Sequence, residues 1–587
     1  MGQQTDILLK GIAASPGIAI GKVLIIGSET LEVEKKTLKT SDIDAEIEKF
    51  DSALAQSISD LEKMFDKTRA SYGENAAQIF NVHKYILQDP MVVDKAKKKI
   101  RAEKVNADWA FSEIMNNYIS KLKGMQDERF HTRTTDIQDL KRRVTRYIQG
   151  GSQQHLTKLT QPSIVFATEL TPSDTIRLEK ANVLGFAMDF GARTSHATIL
   201  ARSIGVPAVV GLNRAGQLIK EGDNMILDGD QGLCIINPST KSLSRYKKRY
   251  DEYISLERQL HSIKNLPART KDGKDIELAS NMEFPEEVDH ICELHGDGIG
   301  LFRTEYLYLA GSTNPTEEQQ YQDYKHILEK LAGKPLIIRT FDLGGDKPPA
   351  SLSLSREDNP FLGVRGVRLY RNSGEDLFRT QIRAILRASA LGDIRIMFPM
   401  IACVSELREC KAALYKIQKE LDKEGVPYNK SIPVGIMIEV PSAAAIADLM
   451  AQECDFLSIG TNDLIQYTIA VDRGNKNLAY LYQSYNPAVL RFVQQIIYQG
   501  HQQGTWVGMC GEMASDPLMT MVLIGMGLDE FSVSPVSHLL IKEIIRHVEY
   551  HECESMAKKA LDFSTAADVE KYLTDIYQKK FKRLLHL

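Results

Sequence analysis

The amino-acid sequence predicts a multidomain α/β protein that ends in a (β/α)8 barrel, and three observations support this fold class. The chain has 587 residues, which is several times the usual length of one domain, and 43% of them are apolar. Residues 1–240 alternate between strand-like and helix-like segments. The last part, about 320 residues, repeats a strand–helix unit eight times. A doubly wound parallel sheet is the structural alternative for this last part.

Charge, hydropathy and cysteine content exclude several classes of protein. Lys and Arg total 73 and Asp and Glu total 77, and the net charge of −4 argues against a protein that binds nucleic acids over a large surface. No run of about 18 uncharged apolar residues exists to span a bilayer. The 7 cysteines are scattered without Cys-x-x-Cys pairs, which is typical of reduced thiols. We therefore expect a cytoplasmic protein with no nucleic-acid partner and no membrane insertion.

The first predicted domain, residues 1–32 and 149–240, is a small α/β domain that an insertion interrupts. It contains short apolar runs bounded by Gly, Pro and Asp, as buried strands joined by turns do. Three of these predicted strands are Ser163–Thr168, Val183–Met188 and Met225–Asp228.

The insertion, residues 33–148, is predicted to be helical. Its apolar residues recur at spacings of three and four, as the buried face of a helix requires. Ser41 and Asp44 have the spacing of a capping box ahead of the first helix. The apolar face of that helix comprises Ile43, Ile47, Phe50, Leu54, Ile58, Leu61 and Phe65.

The second half of the chain is predicted to contain a linker helix and the barrel. Residues 241–264 are highly charged with helical spacing, which suits a linker between rigid bodies. Residues 265–587 hold the predicted barrel. Its predicted strands are Ile276–Ser280, Gly298–Phe302, Leu336–Phe341, Ile394–Met400, Val434–Val440, Asp455–Gly460, Thr505–Cys510 and Glu530–Ser534.

In such a barrel, catalytic groups lie at or just beyond the carboxyl ends of the strands. Several arginines facing one mouth would bind a multiply charged anion, because their forked donors match phosphate and carboxylate oxygens. Two carboxylates there, Glu439 and Asp463, are oxygen ligands of the kind that suits Mg²⁺. The alternative is a set of arginine–carboxylate ion pairs that close the barrel. The polar residues at the predicted strand ends are Asn281, Arg303, Arg339, Asp342, Glu439, Asn462, Asp463 and Cys510, and Arg365 and Arg473 follow apolar or glycine-rich stretches in the same region.

A second candidate site is the small, hydroxyl-rich segment Gly191–Thr198, between a predicted strand and a predicted apolar helix. His196 would lie near the amino end of that helix, where free backbone N–H groups favour an anion. Its imidazole would be able to attack phosphorus and carry a phosphoryl group, with Thr194 and Ser195 as further donors. The alternative is a structural or exposed histidine, as most single histidines are.

Two long segments resemble signatures of the phosphoenolpyruvate-utilising enzymes. GARTSHATILAR at Gly191–Arg202 resembles the phosphohistidine signature of this family, and DFLSIGTNDLIQYTIAVDRGN at Asp455–Asn475 resembles its second signature. Other motifs of the family, among them GIGLFRTEYLY, GIMIEVPSAAA and GMCGEMASD, occur in the expected order, and the whole chain resembles the enzyme I branch. The resemblance implies a swivelling phosphohistidine α/β domain with an inserted helical bundle, a linker helix and a C-terminal (β/α)8 TIM barrel.

The resemblance also implies a reaction. An enzyme of this branch takes the phosphoryl group of phosphoenolpyruvate onto a histidine, here His196, and passes it to a histidine of the phosphocarrier protein HPr, releasing pyruvate. This is the first step of the phosphoenolpyruvate:sugar phosphotransferase system. By the same resemblance Glu439 and Asp463 would bind Mg²⁺, and Cys510 would donate a proton to the enolate carbon. The substrate-binding residues would be Arg303, Arg339, Arg365, Asn462, Arg473 and Lys347.

Partners follow from the resemblance as well. It implies a homodimer through the barrel domain and a helical insertion that binds HPr. The first predicted helix has more acidic than basic residues, so an acidic surface would steer a basic partner, although a merely solvated helix face is the alternative. Because His196 must reach both the barrel and HPr, residues 241–264 are predicted to act as a swivel.

Two other functions share parts of this pattern. An ATP-using relative of the pyruvate-phosphate dikinase kind needs a large ATP-binding domain, and no glycine-rich nucleotide loop occurs before residue 150. A regulatory protein that keeps the fold without turnover should have a damaged site. Here His196, the four arginines, both carboxylates and Cys510 are all present.

Overall fold

The computed structural model describes residues 6–26, 33–123, 128–150, 161–168, 170, 182–190, 198, 201, 205–213, 215–309, 314–345, 357–372, 374–475, 477–478, 480–581 and 584, and at 67–79, 122–123, 128–136, 253, 257, 309 and 372 it describes the backbone alone. The chain divides into two compact units, Met1–Ile254 and Ser255–Leu585. No helix in the described part of the chain is long and apolar enough to cross a membrane.

The first unit contains a mixed sheet, which the described residues build from eight strands in the order β1-β8-β7-β3-β4-β5-β6-β2. The pairs from β3 to β6 are parallel and the others are antiparallel. Apolar side chains cover both faces of the central strands, which is why these strands read as short continuous apolar runs. The strands are β1 (Ile7–Lys10), β2 (Ile12–Ser15), β3 (Ile18–Ile26), β4 (Ser163–Ala167), β5 (Val183–Met188), β6 (Ala208–Val210), β7 (Asn224–Asp228) and β8 (Leu233–Ile236).

The insertion between β3 and β4 is helical, as predicted, and it packs around its own apolar core. The predicted capping box is wrong. The Ser41 hydroxyl donates to Asp42 Oδ1 at 2.8 Å, because Thr40–Asp42 form a 3-10 turn that moves the start of the helix to Ile43. The helices are α1 (Ile43–Gln88), α2 (Pro90–Glu103), α3 (Ala107–Lys123) and α4 (Glu128–Ile148).

The predicted linker is a helix, α5 (Thr240–Ser262), and the boundary between the two units falls within it. In its first half, Tyr246 is buried among apolar residues of the sheet, and Arg249 Nη1 donates to Asp228 Oδ2 at 2.8 Å. In its second half, Leu256 and Leu260 are buried in the core of the second unit. Each half is therefore packed against the unit to which it belongs.

The second unit contains a closed barrel of parallel strands, so the predicted barrel is confirmed and the doubly wound alternative is excluded. Closure is made by the last strand, which pairs with the first from Glu530↔Glu277 to Val533↔Ser280. Each predicted strand overlaps an observed one. The strands are β9 (Glu277–Met282), β10 (Ile299–Arg303), β11 (Leu336–Arg339), β12 (Ile394–Phe398), β13 (Val434–Ile438), β14 (Phe456–Ile459), β15 (Trp506–Met509) and β16 (Glu530–Val533).

Helices separate these strands and surround the barrel, and their apolar faces pack on the outside of the strands in one continuous core. They are α6 (Val288–Glu293), α7 (Tyr306–Leu309), α8 (Glu317–Leu331), α9 (Val367–Asn372), α10 (Glu375–Ser389), α11 (Val404–Glu424), α12 (Pro441–Ala445), α13 (Ala447–Ala451), α14 (Thr461–Ile469), α15 (Pro487–Gln502), α16 (Pro517–Met526), α17 (Pro535–His547), α18 (Tyr550–Asp562) and α19 (Ala566–Lys580).

Candidate active site at the mouth of the barrel

Most of the predicted polar residues lie where the barrel strands end. Arg303 is the last residue of β10 and Arg339 is the last residue of β11. Glu439 directly follows β13, Cys510 directly follows β15, and Asp463 lies in the first turn of α14, just after β14. All the strands run parallel, so these ends meet at one mouth of the barrel.

Arg365 lies in the connection between β11 and β12 and is paired with carboxylates on two sides. Its Nε and Nη2 donate to the two oxygens of Asp342 at 2.9 and 2.8 Å. Its Nη1 and Nη2 donate to the two oxygens of Asp463 at 2.9 and 3.1 Å, and Nη1 also donates to Tyr467 Oη at 3.1 Å. Burial opposes the charge of Arg365, but the two carboxylates outweigh it and raise the pKa. All five N–H groups of Arg365 thus donate hydrogen bonds to other residues of the chain.

Arg339 lies beside this pair, and not all of its N–H groups have a hydrogen-bond partner in the part of the chain that the structure describes. Its Nη2 is 3.0 Å from Glu305 Oε1, and its Nη1 is 3.9 Å from Asp342 Oδ2. Burial opposes the charge, but the neighbouring carboxylates, Glu305 first, raise the pKa above its ordinary value. Its Nε is buried and has no hydrogen-bond partner within the described residues. Arg339 therefore keeps a donor that a bound anion would satisfy.

Glu439 is the most deeply buried carboxyl group of the mouth, with 1% of its surface exposed. The backbone N–H of Met400 donates to its Oε1 at 2.6 Å. Burial, followed by the charges of Asp463 and Asp342, raises the pKa of Glu439 to about 8. With Glu305, the mouth thus holds four buried carboxyl groups against the two buried guanidinium groups of Arg339 and Arg365.

An excess of buried acidic groups favours a cation, and carboxylate oxygens are ligands that Mg²⁺ accepts. Within the described residues, no group of three or more His, Cys, Asp or Glu side chains is arranged to hold a metal ion. The carboxylate donors of Glu439 and Asp463 would suit an ion that takes one or two protein carboxylates and completes its shell with substrate oxygens and water.

Cys510 lies at the inner side of the mouth, with 2% of its surface exposed. Its sulfur packs among apolar side chains inside the barrel and accepts a hydrogen bond from Ser458 Oγ at 3.3 Å. Burial raises the pKa of the Cys510 thiol to about 11, so the sulfur carries a proton at neutral pH. Asn281 donates from Nδ2 to the Cys510 carbonyl at 3.1 Å. It lies inside β9, one residue before the last residue of that strand, whereas the predicted strand ended at Ser280.

The other predicted residues occupy the rim. Arg303 donates from Nη1 to Glu283 Oε1 at 2.6 Å, and its Nε is buried without a hydrogen-bond partner in the described part of the chain. Arg473 Nη1 is 3.6 Å from Asp463 Oδ2. Asn462 accepts from the Glu512 backbone N–H at 3.0 Å through Oδ1.

Two predicted residues, His196 and Lys347, lie outside the described residues. Conversely, sequence reasoning missed Glu305, Ser458 and Tyr467 as parts of the mouth. A signal existed for two of them. Glu305 follows Arg303 by two positions, and Ser458 is the one hydroxyl residue inside an otherwise apolar strand.

Three sequence profiles of the PEP-utilising enzymes match successive parts of the chain. The profile of the PEP-binding domain matches residues 257–550, which is half of the chain and includes the whole barrel mouth. The N-terminal profile matches residues 10–133, and the mobile-domain profile matches residues 159–232. The chain belongs to the PEP-utilising enzyme family. This membership confirms the predicted resemblance.

Members of the PEP-utilising enzyme family from several bacteria are similar to this chain over nearly its whole length. The phosphoenolpyruvate-protein phosphotransferase of Bacillus subtilis (strain 168) is 42% identical over 570 residues, which cover 97% of this chain and 100% of the relative. The protein of the same name from Enterococcus faecalis is 42% identical over 94% of this chain and 96% of the relative. The one from Staphylococcus aureus is 41% identical over 96% of this chain and 98% of the relative.

Proposed function

We propose that this chain takes the phosphoryl group of phosphoenolpyruvate onto His196 and passes it to a histidine of the phosphocarrier protein HPr, releasing pyruvate. This reaction is the first step of the phosphoenolpyruvate:sugar phosphotransferase system. The name phosphoenolpyruvate-protein phosphotransferase, which the relatives share, supports the activity because they are similar over nearly the full length. The observation on this chain that carries the proposal is the barrel mouth, where buried arginines, carboxyl groups and a protonated thiol face one opening.

The arginines bind the phosphate and carboxylate groups of the substrate in this proposal. Arg303 and Arg339 each hold a buried Nε donor without a hydrogen-bond partner in the described structure, which a substrate oxygen would satisfy. Arg365 differs, because all of its N–H groups already donate hydrogen bonds within the protein. A substrate oxygen must therefore replace one of its carboxylate partners. The proposed substrate-binding residues are Arg303, Arg339, Arg365, Asn462, Arg473 and Lys347.

Mg²⁺ is the proposed cofactor, held by Glu439 and Asp463. The raised pKa of Glu439 supports this assignment, since it results from burial and from nearby carboxylates whose repulsion a cation relieves. When bound, the ion supplies positive charge that neutralises the phosphate oxygens. The protein's own part is to place the arginines around the same oxygens.

Cys510 is the proposed proton donor. Loss of the phosphoryl group leaves the enolate of pyruvate, which needs a proton at C3 to become the ketone. A thiol whose pKa is raised to about 11 by burial holds a proton at neutral pH and is able to donate it. Its position at the end of β15, on the same mouth as the arginines, supports this role.

The helical insertion, residues 33–148, is the proposed HPr-binding domain. Helix α1 exposes acidic side chains, among them Asp44, Glu48 and Asp51, which would steer a basic carrier. Large apolar side chains are exposed near its end, with Tyr85 68% and Met91 55% accessible, and they provide contact area for a partner.

The remaining assignments follow from the same proposal. Residues 1–32 and 149–240 form the phosphohistidine domain, and residues 265–587 form the phosphoenolpyruvate-binding and dimerisation domain of a cytoplasmic homodimer. Residues 241–264 are the swivel that lets His196 reach both substrates, which the division of α5 between two compact units supports.

Intact-mass analysis of the full chain mixed with phosphoenolpyruvate and Mg²⁺ tests the proposal. The wild type is expected to gain one acid-labile phosphoryl group, about 80 Da, which added HPr removes. His196→Ala should gain nothing, whereas His261→Ala, a matched change at an exposed histidine of α5, should behave as the wild type. A gain in His196→Ala would contradict the acceptor, and a wild type that neither gains mass nor forms pyruvate would contradict the function.

A further inference from the structure

The sulfur of Cys510 accepts a hydrogen bond from a side chain inside the barrel. Ser458, the third residue of β14, donates its hydroxyl to Cys510 Sγ at 3.3 Å, and both residues are buried, with 0% and 2% of their surfaces exposed. The two strands are neighbours, and the Cys510 N–H donates to the Ile459 carbonyl at 3.2 Å. The backbone therefore holds the hydroxyl and the sulfur at one level of the barrel.

We propose that Ser458 is a positioning residue for the transfer of a proton from Cys510 to carbon. The inference rests on the role proposed above for Cys510. It assigns to Ser458 two effects, one on where the thiol proton is held and one on the charge that remains after the proton has left.

The direction of the hydrogen bond determines the first effect. Because the Ser458 O–H donates, the sulfur accepts on that side, and its own S–H is directed elsewhere. Within the described residues, the acceptor near this S–H is the Ile459 carbonyl at 3.9 Å, which is too far for a strong hydrogen bond. The described residues thus hold the thiol proton only weakly, and a substrate carbon is able to compete for it.

The second effect concerns the thiolate. A negative sulfur is unfavourable in this apolar part of the barrel, since burial disfavours the charged form. The Ser458 hydrogen bond becomes charge-assisted when the sulfur is ionised, and such bonds are about twice as strong as neutral ones. Ser458 favours the thiolate by direct contact, Arg339 and Arg303 favour it through their charges, and the charge of Glu439 opposes it.

The proposed proton transfer needs no reactant other than water. The S–H bond of Cys510 breaks, and a C–H bond forms at C3 of the enolate. The electron pair of the enolate double bond makes the new C–H bond, while its C–O bond becomes the carbonyl of pyruvate. The thiolate then regains a proton from water, and Ser458 keeps its own proton throughout.

The test separates carbon protonation from phosphoryl transfer in the full chain. The two readouts are the rate of the first phosphoryl gain on His196, by rapid quench and intact mass, and the steady-state rate of pyruvate formation with HPr. Ser458→Ala is expected to leave the first rate within about threefold of the wild type and to slow the second about ten- to a hundredfold. Because protonation then limits turnover, the solvent deuterium isotope effect on pyruvate formation should increase.

Two controls keep the test independent of folding. Ser280→Ala removes another fully buried strand serine, whose hydroxyl contacts His538 Nδ1 at 3.1 Å, and it should lower the melting temperature without changing the isotope effect. Ser458→Thr and Ser458→Val both place a β-branched side chain of the same shape at this position, so the added methyl group is matched in the two variants. The hydroxyl of Thr should retain turnover that Val loses.

Each contrary outcome points to a different assumption. Equal turnover in Ser458→Thr and Ser458→Val, or a Ser458→Ala variant that matches Ser280→Ala, would overturn the role of Ser458 alone. Wild-type turnover and isotope effect in Cys510→Ala would overturn the proton donor and this inference together. A mass gain in His196→Ala would overturn the proposed acceptor and leave the Ser458 result standing.

Discussion

Asp342→Ala tests whether the ion pairs of the barrel mouth support its structure. Asp342 accepts two hydrogen bonds from the buried Arg365, at 2.9 and 2.8 Å, and both would be lost. Removing one partner of a buried ion pair costs about 3–5 kcal/mol. Asp463 still pairs with Arg365 in the variant, so we expect the lower end, about 3 kcal/mol.

The melting temperature of the barrel unit measures this loss. The unit Ser255–Leu585 has about 330 residues, and an unfolding entropy of about 2.1 cal/mol/K per residue gives roughly 0.7 kcal/mol/K. A loss of about 3 kcal/mol then lowers the melting temperature by about 4 °C in scanning calorimetry.

The matched control is Glu283→Ala, which also removes an arginine–carboxylate pair. Its pair with Arg303 is short, at 2.6 Å, but the two side chains are 52% and 34% exposed. Exposed pairs contribute less than about 1 kcal/mol, so the expected shift is about 1 °C or less. Equal shifts in the two variants would refute the argument that burial, and not pairing alone, makes the Asp342 contact important.

Two further predictions concern pH and metal. Burial raises the pKa of Glu530, inside the barrel, to about 8. The contribution of protonated Glu530 to the free energy of unfolding is therefore complete below about pH 4 and is lost as the pH rises through 8. The melting temperature of the wild type should therefore fall by a few degrees between pH 6 and 9. In Glu530→Gln the part of the fall that is due to Glu530 should be absent. Parallel plots of melting temperature against pH for the two proteins would contradict the prediction. Chelation of Mg²⁺ should abolish the phosphoryl gain, and Glu439→Gln should require about tenfold more Mg²⁺ or more. An unchanged Mg²⁺ requirement would exclude Glu439 as a ligand.

The strand pattern of the barrel was predictable because it is local. A buried parallel strand is a short apolar run, and a helix follows it in the chain, so the units were visible in the sequence and their ends were correct to within a few residues. Polar residues at those ends indicated the mouth. The predicted strand ends before Asn281, whereas the observed strand includes it, because the backbone of Asn281 pairs with Leu301 of β10. Its side chain donates to the Cys510 carbonyl and accepts from Ser532 Oγ, so its polar groups are satisfied inside the sheet.

The start of the first helix shows where local reasoning fails. Ser41 and Asp44 have the right spacing for a capping box, but the Ser41 hydroxyl bonds to Asp42 in a 3-10 turn. Side chains near a helix start have several acceptors within reach, and spacing alone does not choose among them. The limits of the domains and the roles of the site residues stay predictions.

The repeated strand–helix units of the barrel and the family follow from the sequence alone, since apolar periodicity and long motifs are properties of neighbouring residues. Which side chains meet depends on the three-dimensional fold. Arg365 is 98 residues from Asp463 in the chain, and Ser458 is 52 residues from Cys510. Such pairs depend on the register of the strands and on the path of each connection. These are fixed by packing over the whole barrel. The sequence therefore allowed arginine–carboxylate ion pairs at the mouth as an alternative but did not say which residues pair, and it did not indicate the donor to the Cys510 thiol.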